Sequence, residues 1–126
     1  MGKIVSFSNQ KGGVGKTTTC VNMAAYIAST GKKVLLVDID PQGNATTGLG
    51  FSKSTLKKSV YNVLIDDERV SDNILQTELT GLDVLPSNID LAGAEVELVY
   101  KKGREKILKN ALADLKNVYD YIMIDC

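Results

Sequence analysis

The chain has 126 residues, of which 44% are hydrophobic, so it is long enough and apolar enough to form one small folded domain. Its 15 Lys and Arg residues balance 15 Asp and Glu residues, which excludes a global basic field for nucleic acid or anionic membranes. The absence of histidine excludes histidine-based catalysis and histidine-liganded metals. The two cysteines, Cys20 and Cys126, form neither a metal-binding nor a disulfide pattern.

The first part of the chain predicts a strand, a helix and a second strand. Residues 4–8 are a short, largely apolar stretch, and we expect them to form a strand buried on both faces. Residues 17–30 repeat apolar side chains at helical spacing, and Gly31 follows where such a helix would end. Residues 33–38 contain an unbroken apolar run, which is typical of a buried strand. This order predicts parallel strands covered by helices.

The rest of the chain alternates polar loops with further elements. We expect helices at residues 45–49, 59–65, 91–99 and 104–115, a strand or turn around 74–75, and strands at 81–86 and 121–125. No repeat, low-complexity tract or interdomain linker interrupts this alternation. The pattern therefore predicts a single α/β domain.

A glycine-rich loop between the first strand and the first helix predicts phosphate binding. Residues 8–19 read SNQKGGVGKTTT, which ends as a P-loop but has Gln10 where that pattern begins with glycine. Glycines let backbone N–H groups approach phosphates, and the helix directs its positive end toward them. We expect Lys16 to reach the β- and γ-phosphates, Thr17 to bind Mg²⁺ and Thr18 to hold the α-phosphate. The predicted nucleotide-binding set is Gly12, Gly13, Val14, Gly15, Lys16, Thr17 and Thr18.

Four charged residues are further candidates for catalysis or metal binding. Lys11 is a second lysine in the phosphate loop, and it either stays solvated or acts on the nucleotide of a neighbouring subunit. Asp38 and Asp40 follow the second strand, at the edge where α/β sheets place ligands. One would join the magnesium shell and the other would orient a water, or the pair only starts a turn. Asp125 ends the last strand and fits a Walker B acid, which holds Mg²⁺ through water.

Three segments resemble the deviant Walker A ATPases of the ParA/MinD family. Residues 11–18 (KGGVGKTT) resemble the phosphate loop of that family, and residues 119–126 (YDYIMIDC) resemble its Walker B strand. Residues 37–46 (VDIDPQGNAT) resemble the switch I signature of its ParA/Soj branch. The resemblance implies an α/β fold of P-loop NTPase type, with a mostly parallel sheet flanked by helices. It also implies that residues 1–126 are the N-terminal half of one truncated domain.

The same resemblance implies a cytoplasmic, nucleoid-associated ATPase that segregates chromosomes or plasmids, with ATP and Mg²⁺ as cofactors. Such a protein forms an ATP-bound homodimer, binds DNA without sequence specificity and hydrolyses ATP when a ParB-type partner stimulates it. The DNA contacts would lie in the missing C-terminal half, and no membrane contact is expected. Carried onto the matching positions, the catalytic residues are Lys11, Lys16 and Asp40, and the magnesium site is formed by Thr17, Asp38 and Asp125.

Three alternatives stay open at this point. A MinD-like membrane-associated ATPase is one, although residues 41–44 (PQGN) favour the ParA side. A relative of the nitrogenase iron protein is another, for which neither Cys20 nor Cys126 is suitably placed. The third is an inactive fragment that only binds nucleotide or dimerises. Because the last strand is expected to be interior in a complete sheet, we also expect the chain to self-associate through exposed sheet regions.

Overall fold

The computed structural model of the chain describes residues 2–7, 14–40, 42–52, 54–64, 68–88 and 104–125. Within these ranges, five strands form one sheet in the order β1-β5-β2-β4-β3. The pairs β1–β5, β5–β2 and β2–β4 are parallel, and β3 pairs antiparallel with β4. The strands are β1 (Lys3–Phe7), β2 (Val34–Asp38), β3 (Leu75–Gln76), β4 (Leu82–Leu85) and β5 (Tyr121–Asp125).

Helices flank both faces of this sheet. The structure describes helices α1 (Val14–Ser29), α2 (Asn44–Gly48), α3 (Val60–Leu64) and α4 (Arg104–Ala113), and 3₁₀ turns at Val70–Asn73 and Asp114–Asn117. None of the helices in the described ranges is long and apolar enough to cross a membrane. The predicted α/β class, a mostly parallel sheet flanked by helices, is confirmed.

Alternate residues of the central strands pack into two separate apolar layers. Val34 and Leu36 of β2 lie in the layer that contains Cys20, Ala24 and Ala28 of α1. The intervening β2 residues, Leu35 and Val37, lie in the opposite layer with side chains of α3 and α4. All five residues of β2 are buried. The unbroken apolar run of β2 is therefore explained by helices on both of its faces.

The first strand differs from the sequence expectation. Lys3, Val5 and Ser6 are exposed, and Ile4 and Phe7 are half-buried, so the prediction of a strand buried on both faces is wrong. The reason is position, because β1 lies at one end of the strand order and β5 is its only neighbour among the described strands. β5, which we expect to be interior in a complete sheet, is already interior in this chain, with β1 and β2 on its two sides.

Element boundaries agree with the predictions to within a few residues. α1 begins at Val14, three residues before the predicted start at Thr17. The helix predicted at 104–115 is α-helical to Ala113 and then tightens into the 3₁₀ turn. The strand or turn expected around 74–75 is the short strand β3. The helix predicted at 91–99 lies outside the described residues.

Two contacts fix the end of the sheet at which the parallel strands begin. Gly81 adopts φ +88°, and its carbonyl accepts a 2.8 Å hydrogen bond from the N–H of Val34 at the start of β2. Tyr119, which is buried, donates its hydroxyl to Asp83 Oδ2 at 2.7 Å. Burial and this hydrogen bond raise the pKa of the Tyr119 phenol above its usual range. These contacts join β2, β4 and the turn before β5.

Candidate nucleotide-binding site

Two aspartates lie side by side where β2 and β5 end. Asp38 and Asp125 are register partners on these neighbouring parallel strands, and both side chains are fully buried. The N–H of Ile39 donates to the Asp125 carbonyl oxygen at 3.0 Å, which ties the segment after β2 to the end of β5. Neighbouring strands are about 4.8 Å apart, so the sheet holds the two carboxylates as close neighbours.

The first turn of α1 contacts Asp125 through two side chains. Lys16 Nζ lies 3.0 Å from Asp125 Oδ1, and the Lys16 side chain is 7% exposed. Thr17 donates its hydroxyl to Asp125 Oδ2, also at 3.0 Å. The structure therefore brings Asp125 together with two predicted site residues, Lys16 and Thr17, that lie more than a hundred positions before it in the chain.

These residues fit a nucleotide phosphate and a magnesium ion. Asp125 Oδ1 is buried and accepts no hydrogen bond from a described residue, although Lys16 lies near it. Two buried carboxylates thus face one buried ammonium group in the described part of the chain, an imbalance that a divalent cation would correct. Among the described residues outside the helix backbone of α1, none places an atom within 4 Å of the position that a Cβ would take at Gly15. A threonine hydroxyl and carboxylates are oxygen ligands of the type that Mg²⁺ prefers.

Asp38 is held by protein donors on both carboxylate oxygens. Its Oδ2 accepts from the N–H and from the hydroxyl of Thr46, at 2.9 and 2.7 Å, and its Oδ1 accepts from the N–H of Asp40 at 3.1 Å. Burial raises the pKa of Asp38 to about 6, helped by the charge of Asp125 and opposed by these hydrogen bonds. The predicted role of Asp38 in the magnesium shell stays a prediction, because in this structure both of its carboxylate oxygens accept hydrogen bonds from the protein.

Asp40 lies just beyond Asp38 and is half-buried. Its Oδ1 accepts from the N–H of Gln42 at 3.0 Å, and its Oδ2 accepts from the side-chain amide of Asn44 at 3.2 Å. Asn44 was not among the predicted site residues, and its position four residues after Asp40 was the signal that could have revealed it. The carboxylate of Asp40 therefore has a defined orientation at the rim of the site.

Thr46 is the second residue that the sequence reasoning missed. It is fully buried in α2 and contacts Asp38 twice. A signal existed, since Gly43 stands at the N-cap of α2 and has no side chain with which to cap the helix. Another acceptor had to serve the N–H groups of the first turn, and Asp38 serves one of them.

The remaining predicted residues lie around this centre. Thr18 is exposed and lines a groove of about 410 Å³ between α1 and α2, together with Thr17, Val21, Asn22, Asn44, Thr47 and Gly48. Val14 and Gly15 are the first two residues of α1. Lys11, Gly12, Gly13 and Cys126 lie outside the described residues, and their roles stay predictions. Cys20 is buried in the α1 layer, as expected for a core residue.

Comparison with known proteins places this site in a family. The AAA domain family matches residues 2–126. The sporulation initiation inhibitor protein Soj of Bacillus subtilis is 59% identical over all 126 residues, which cover 50% of that protein. The chromosome partitioning protein ParA of Myxococcus xanthus is 50% identical, again over the whole chain and over 44% of that protein.

The chain belongs to the AAA domain family, and it is similar to the Soj and ParA proteins. It spans about half the length of the curated ParA/Soj relatives that it matches. A solved structure from Mycobacterium smegmatis, described as cobyrinic acid a,c-diamide synthase with a bound ATP analogue and magnesium, superposes with a TM-score of 0.91 at 45% identity. The superposition covers 100% of this chain and 51% of that one. The ATP analogue and magnesium bound to that neighbour correspond to the two cofactors predicted from the sequence, ATP and Mg²⁺.

Proposed function

We propose that this chain is the ATP- and magnesium-binding part of a ParA-type ATPase. The observation that carries the proposal is the joint contact of Lys16 and Thr17 with Asp125 at the end of β5. In P-loop NTPases the loop lysine contacts the phosphates, and the loop threonine and a strand-end acid hold the metal, so these three side chains are expected to lie together at a nucleotide site. The match to the ParA/Soj family and the nucleotide in the solved neighbour support the same conclusion.

The buried ion pair defines what Lys16 does on binding. Without nucleotide, the buried Lys16 ammonium is paired with Asp125, so its charge is not left uncompensated inside the protein. A phosphate chain at the first turn of α1 offers Lys16 a second anionic partner within reach of the same flexible side chain. Thr17 would contribute its hydroxyl oxygen to the metal, and Asp125 would act on the metal through water. The bound magnesium supplies positive charge that neutralises the phosphates.

Asp40 is the proposed residue for orienting the attacking water. Its carboxylate is fixed by Gln42 and Asn44 and lies at the rim of the site, where water can reach it. Lys11 is proposed to act on the nucleotide of a second copy of the protein, since Lys16 already serves the nucleotide of its own subunit. In-line attack by water would then depend mainly on positioning and charge stabilisation.

The cellular role is proposed from the relatives. Proteins named Soj and ParA support an ATPase of chromosome or plasmid partition, acting in the cytoplasm on the nucleoid as a nucleotide-dependent homodimer. A ParB-type partner and DNA are the proposed ligands of the full-length protein. The Mycobacterium smegmatis protein is described as an enzyme of a different activity, so its structure supports nucleotide binding and not partition.

Titration calorimetry with ATP and Mg²⁺ tests nucleotide binding. The Lys16→Ala substitution should weaken ATP binding about tenfold or more, because a charge-assisted hydrogen bond is worth about 1.5–3 kcal/mol. Lys109→Ala is the matched control, since Lys109 is exposed on α4 and has no part in the site. Circular dichroism should show that both variants are folded. Equal ATP affinity in wild type and Lys16→Ala would contradict the proposal.

A second pair of variants tests the magnesium site. Thr17→Ala should abolish most of the gain in ATP affinity that Mg²⁺ gives, because the metal loses a hydroxyl ligand. Thr17→Ser keeps that hydroxyl and should preserve the gain. If the two variants respond equally to Mg²⁺, Thr17 is not a magnesium ligand.

A further inference from the structure

Helix α2 receives its N-terminal cap from another element of the chain. Gly43 occupies the N-cap position with φ +65° and offers no side chain to the first turn. The third residue of the helix, Thr46, donates its N–H instead to Asp38 Oδ2, at 2.9 Å. An acid at the end of β2 thus performs the task that Ser, Thr, Asp or Asn usually performs from the N-cap itself. The position of α2 is consequently coupled to the Asp38 carboxylate.

The hydroxyl of Thr46 makes a second connection at the same place. It donates to Asp38 Oδ2 at 2.7 Å and accepts from the N–H of Ser87 at 2.9 Å. Ser87 follows β4, which is the neighbour of β2 in the sheet. One fully buried hydroxyl therefore uses its proton and a lone pair to join the ends of β2 and β4.

The network continues from Asp38 to the rim of the site. Asp38 Oδ1 accepts the N–H of Asp40, and the Asp40 carboxylate is in turn oriented by Gln42 and Asn44. A carboxylate that accepts three hydrogen bonds has little freedom to rotate. Thr46 supplies two of the three, so it controls the orientation of Asp38 and, through it, the main chain at Asp40.

We propose that Thr46 is a positioning residue of the nucleotide site, whose hydroxyl orients Asp38 and thereby places Asp40 beside the magnesium edge. This inference rests on the proposed function. Partners that orient the residues around a metal, without touching it, typically change metal affinity about 10- to 100-fold when they are removed. Thr46 occupies such a place, because it contacts Asp38, which is predicted to support the magnesium shell, and is itself fully buried and not among the residues that line the groove beside Thr17.

Three variants separate positioning from simple stabilisation. Thr46→Val keeps the shape of the side chain but removes the hydroxyl, which leaves the buried N–H of Ser87 without that acceptor and Asp38 with one donor fewer. Thr46→Ser restores the hydroxyl. Tyr119→Phe is the control for lost stability, since it removes a partly buried hydrogen bond at the opposite end of the sheet.

The first measurement is the Mg²⁺-dependent gain in ATP affinity of each variant. We expect Thr46→Val to reduce that gain about tenfold, Thr46→Ser to restore it to within about twofold of wild type, and Tyr119→Phe to leave it unchanged. The second measurement is hydrogen exchange of the Asp40 amide by NMR without nucleotide. That amide should exchange faster in Thr46→Val and at the wild-type rate in the other two variants.

The outcomes distinguish this inference from the function on which it rests. A wild-type chain that binds no Mg²⁺–ATP overturns the proposed function and this inference with it. If the wild-type chain binds Mg²⁺–ATP and Thr46→Val matches it in both measurements, only the inference on Thr46 is overturned. Equal losses in Thr46→Val and Tyr119→Phe would show that Thr46 acts through stability alone and would likewise overturn it.

Discussion

Asp38 and Asp125 are register partners at the ends of β2 and β5, yet different groups contact their two carboxylates. Asp125 is engaged by the Lys16 ammonium and the Thr17 hydroxyl, whereas Asp38 has hydrogen-bond donors but no cation among the described residues. The lack of a cation leaves the burial of Asp38 uncompensated, and burial is the main reason that its pKa is raised. One acid is therefore held in an ion pair, and the other has its pKa raised to about 6.

Stability should depend on pH through Asp38. The folded state raises the pKa of Asp38 from 3.8 to about 6, so it binds the proton more tightly than the unfolded chain does. The free energy of unfolding should therefore fall as the pH rises from about 4 to about 6, by roughly 2–3 kcal/mol. Asp38→Asn, which resembles the protonated form, should lack this decline. Urea denaturation of both proteins at several pH values, without Mg²⁺ or nucleotide, measures it, and parallel pH profiles would contradict the assignment.

The Lys16–Asp125 contact should show strong energetic coupling without nucleotide. Each single change, Lys16→Met or Asp125→Asn, leaves one buried polar partner uncompensated, while the double variant removes both. A double-mutant cycle by urea denaturation should give a coupling free energy of about 1–3 kcal/mol.

The exposed pair Arg69 and Asp72 provides the control cycle for that measurement. Their side chains are 81% and 54% exposed, so their coupling should be close to zero. If the Lys16–Asp125 cycle gave an equally small value, the buried contact would not be an ion pair in solution.

Gly81→Ala should destabilise the protein more than Gly31→Ala does. Both glycines have positive φ, +88° at Gly81 and +92° at Gly31, so alanine is strained at either position. Only at Gly81 would the new Cβ also meet an atom, the Lys32 carbonyl oxygen at 2.9 Å. We expect a loss of about 1 kcal/mol at Gly31 and about 2–4 kcal/mol at Gly81, measured by thermal unfolding. Equal losses would mean that the contact with Lys32 relaxes freely.

The open edge of β1 should favour self-association. Val5 is 40% exposed there, next to backbone groups that have no strand partner on the outer side in the described part of the chain. Val5→Lys should shift sedimentation velocity profiles toward the monomer, because charge on an edge strand opposes edge-to-edge pairing. Ser71→Lys adds the same charge at an exposed position away from this edge and should have little effect. A wild-type chain that stays monomeric at high concentration would contradict this expectation.

Much of this fold was readable from local sequence signals. The apolar runs of β2 and β5 predicted buried strands because such runs are stable only between two covering layers. The phosphate loop and the strand-end acid predicted that Lys16, Thr17 and Asp125 share a site, since the carboxyl ends of parallel strands meet at one edge.

The features that were missed depend on which elements become neighbours. Apolar residues in β1 do not reveal that this strand lies at an end of the sheet order, with Val5 and Ser6 exposed. Likewise, a glycine at the N-cap of α2 indicates that the helix lacks its usual cap, but it does not show that Asp38, eight residues before Thr46, accepts the hydrogen bond. Tertiary packing determines such contacts, and local sequence patterns do not predict which elements become neighbours.

The position of β5 and β2 in the strand order also predicts which backbone hydrogen bonds of the protein break least often. Each of these strands is paired on both sides within the described sheet, whereas β3 has two residues and one partner. Amide protons of β2 and β5 should therefore be the slowest to exchange with deuterated solvent, released only by cooperative global unfolding. Asp38 and Asp125 are the last residues of these two strands. Local opening around β3 or α3 should therefore leave the relative positions of the two aspartates unchanged.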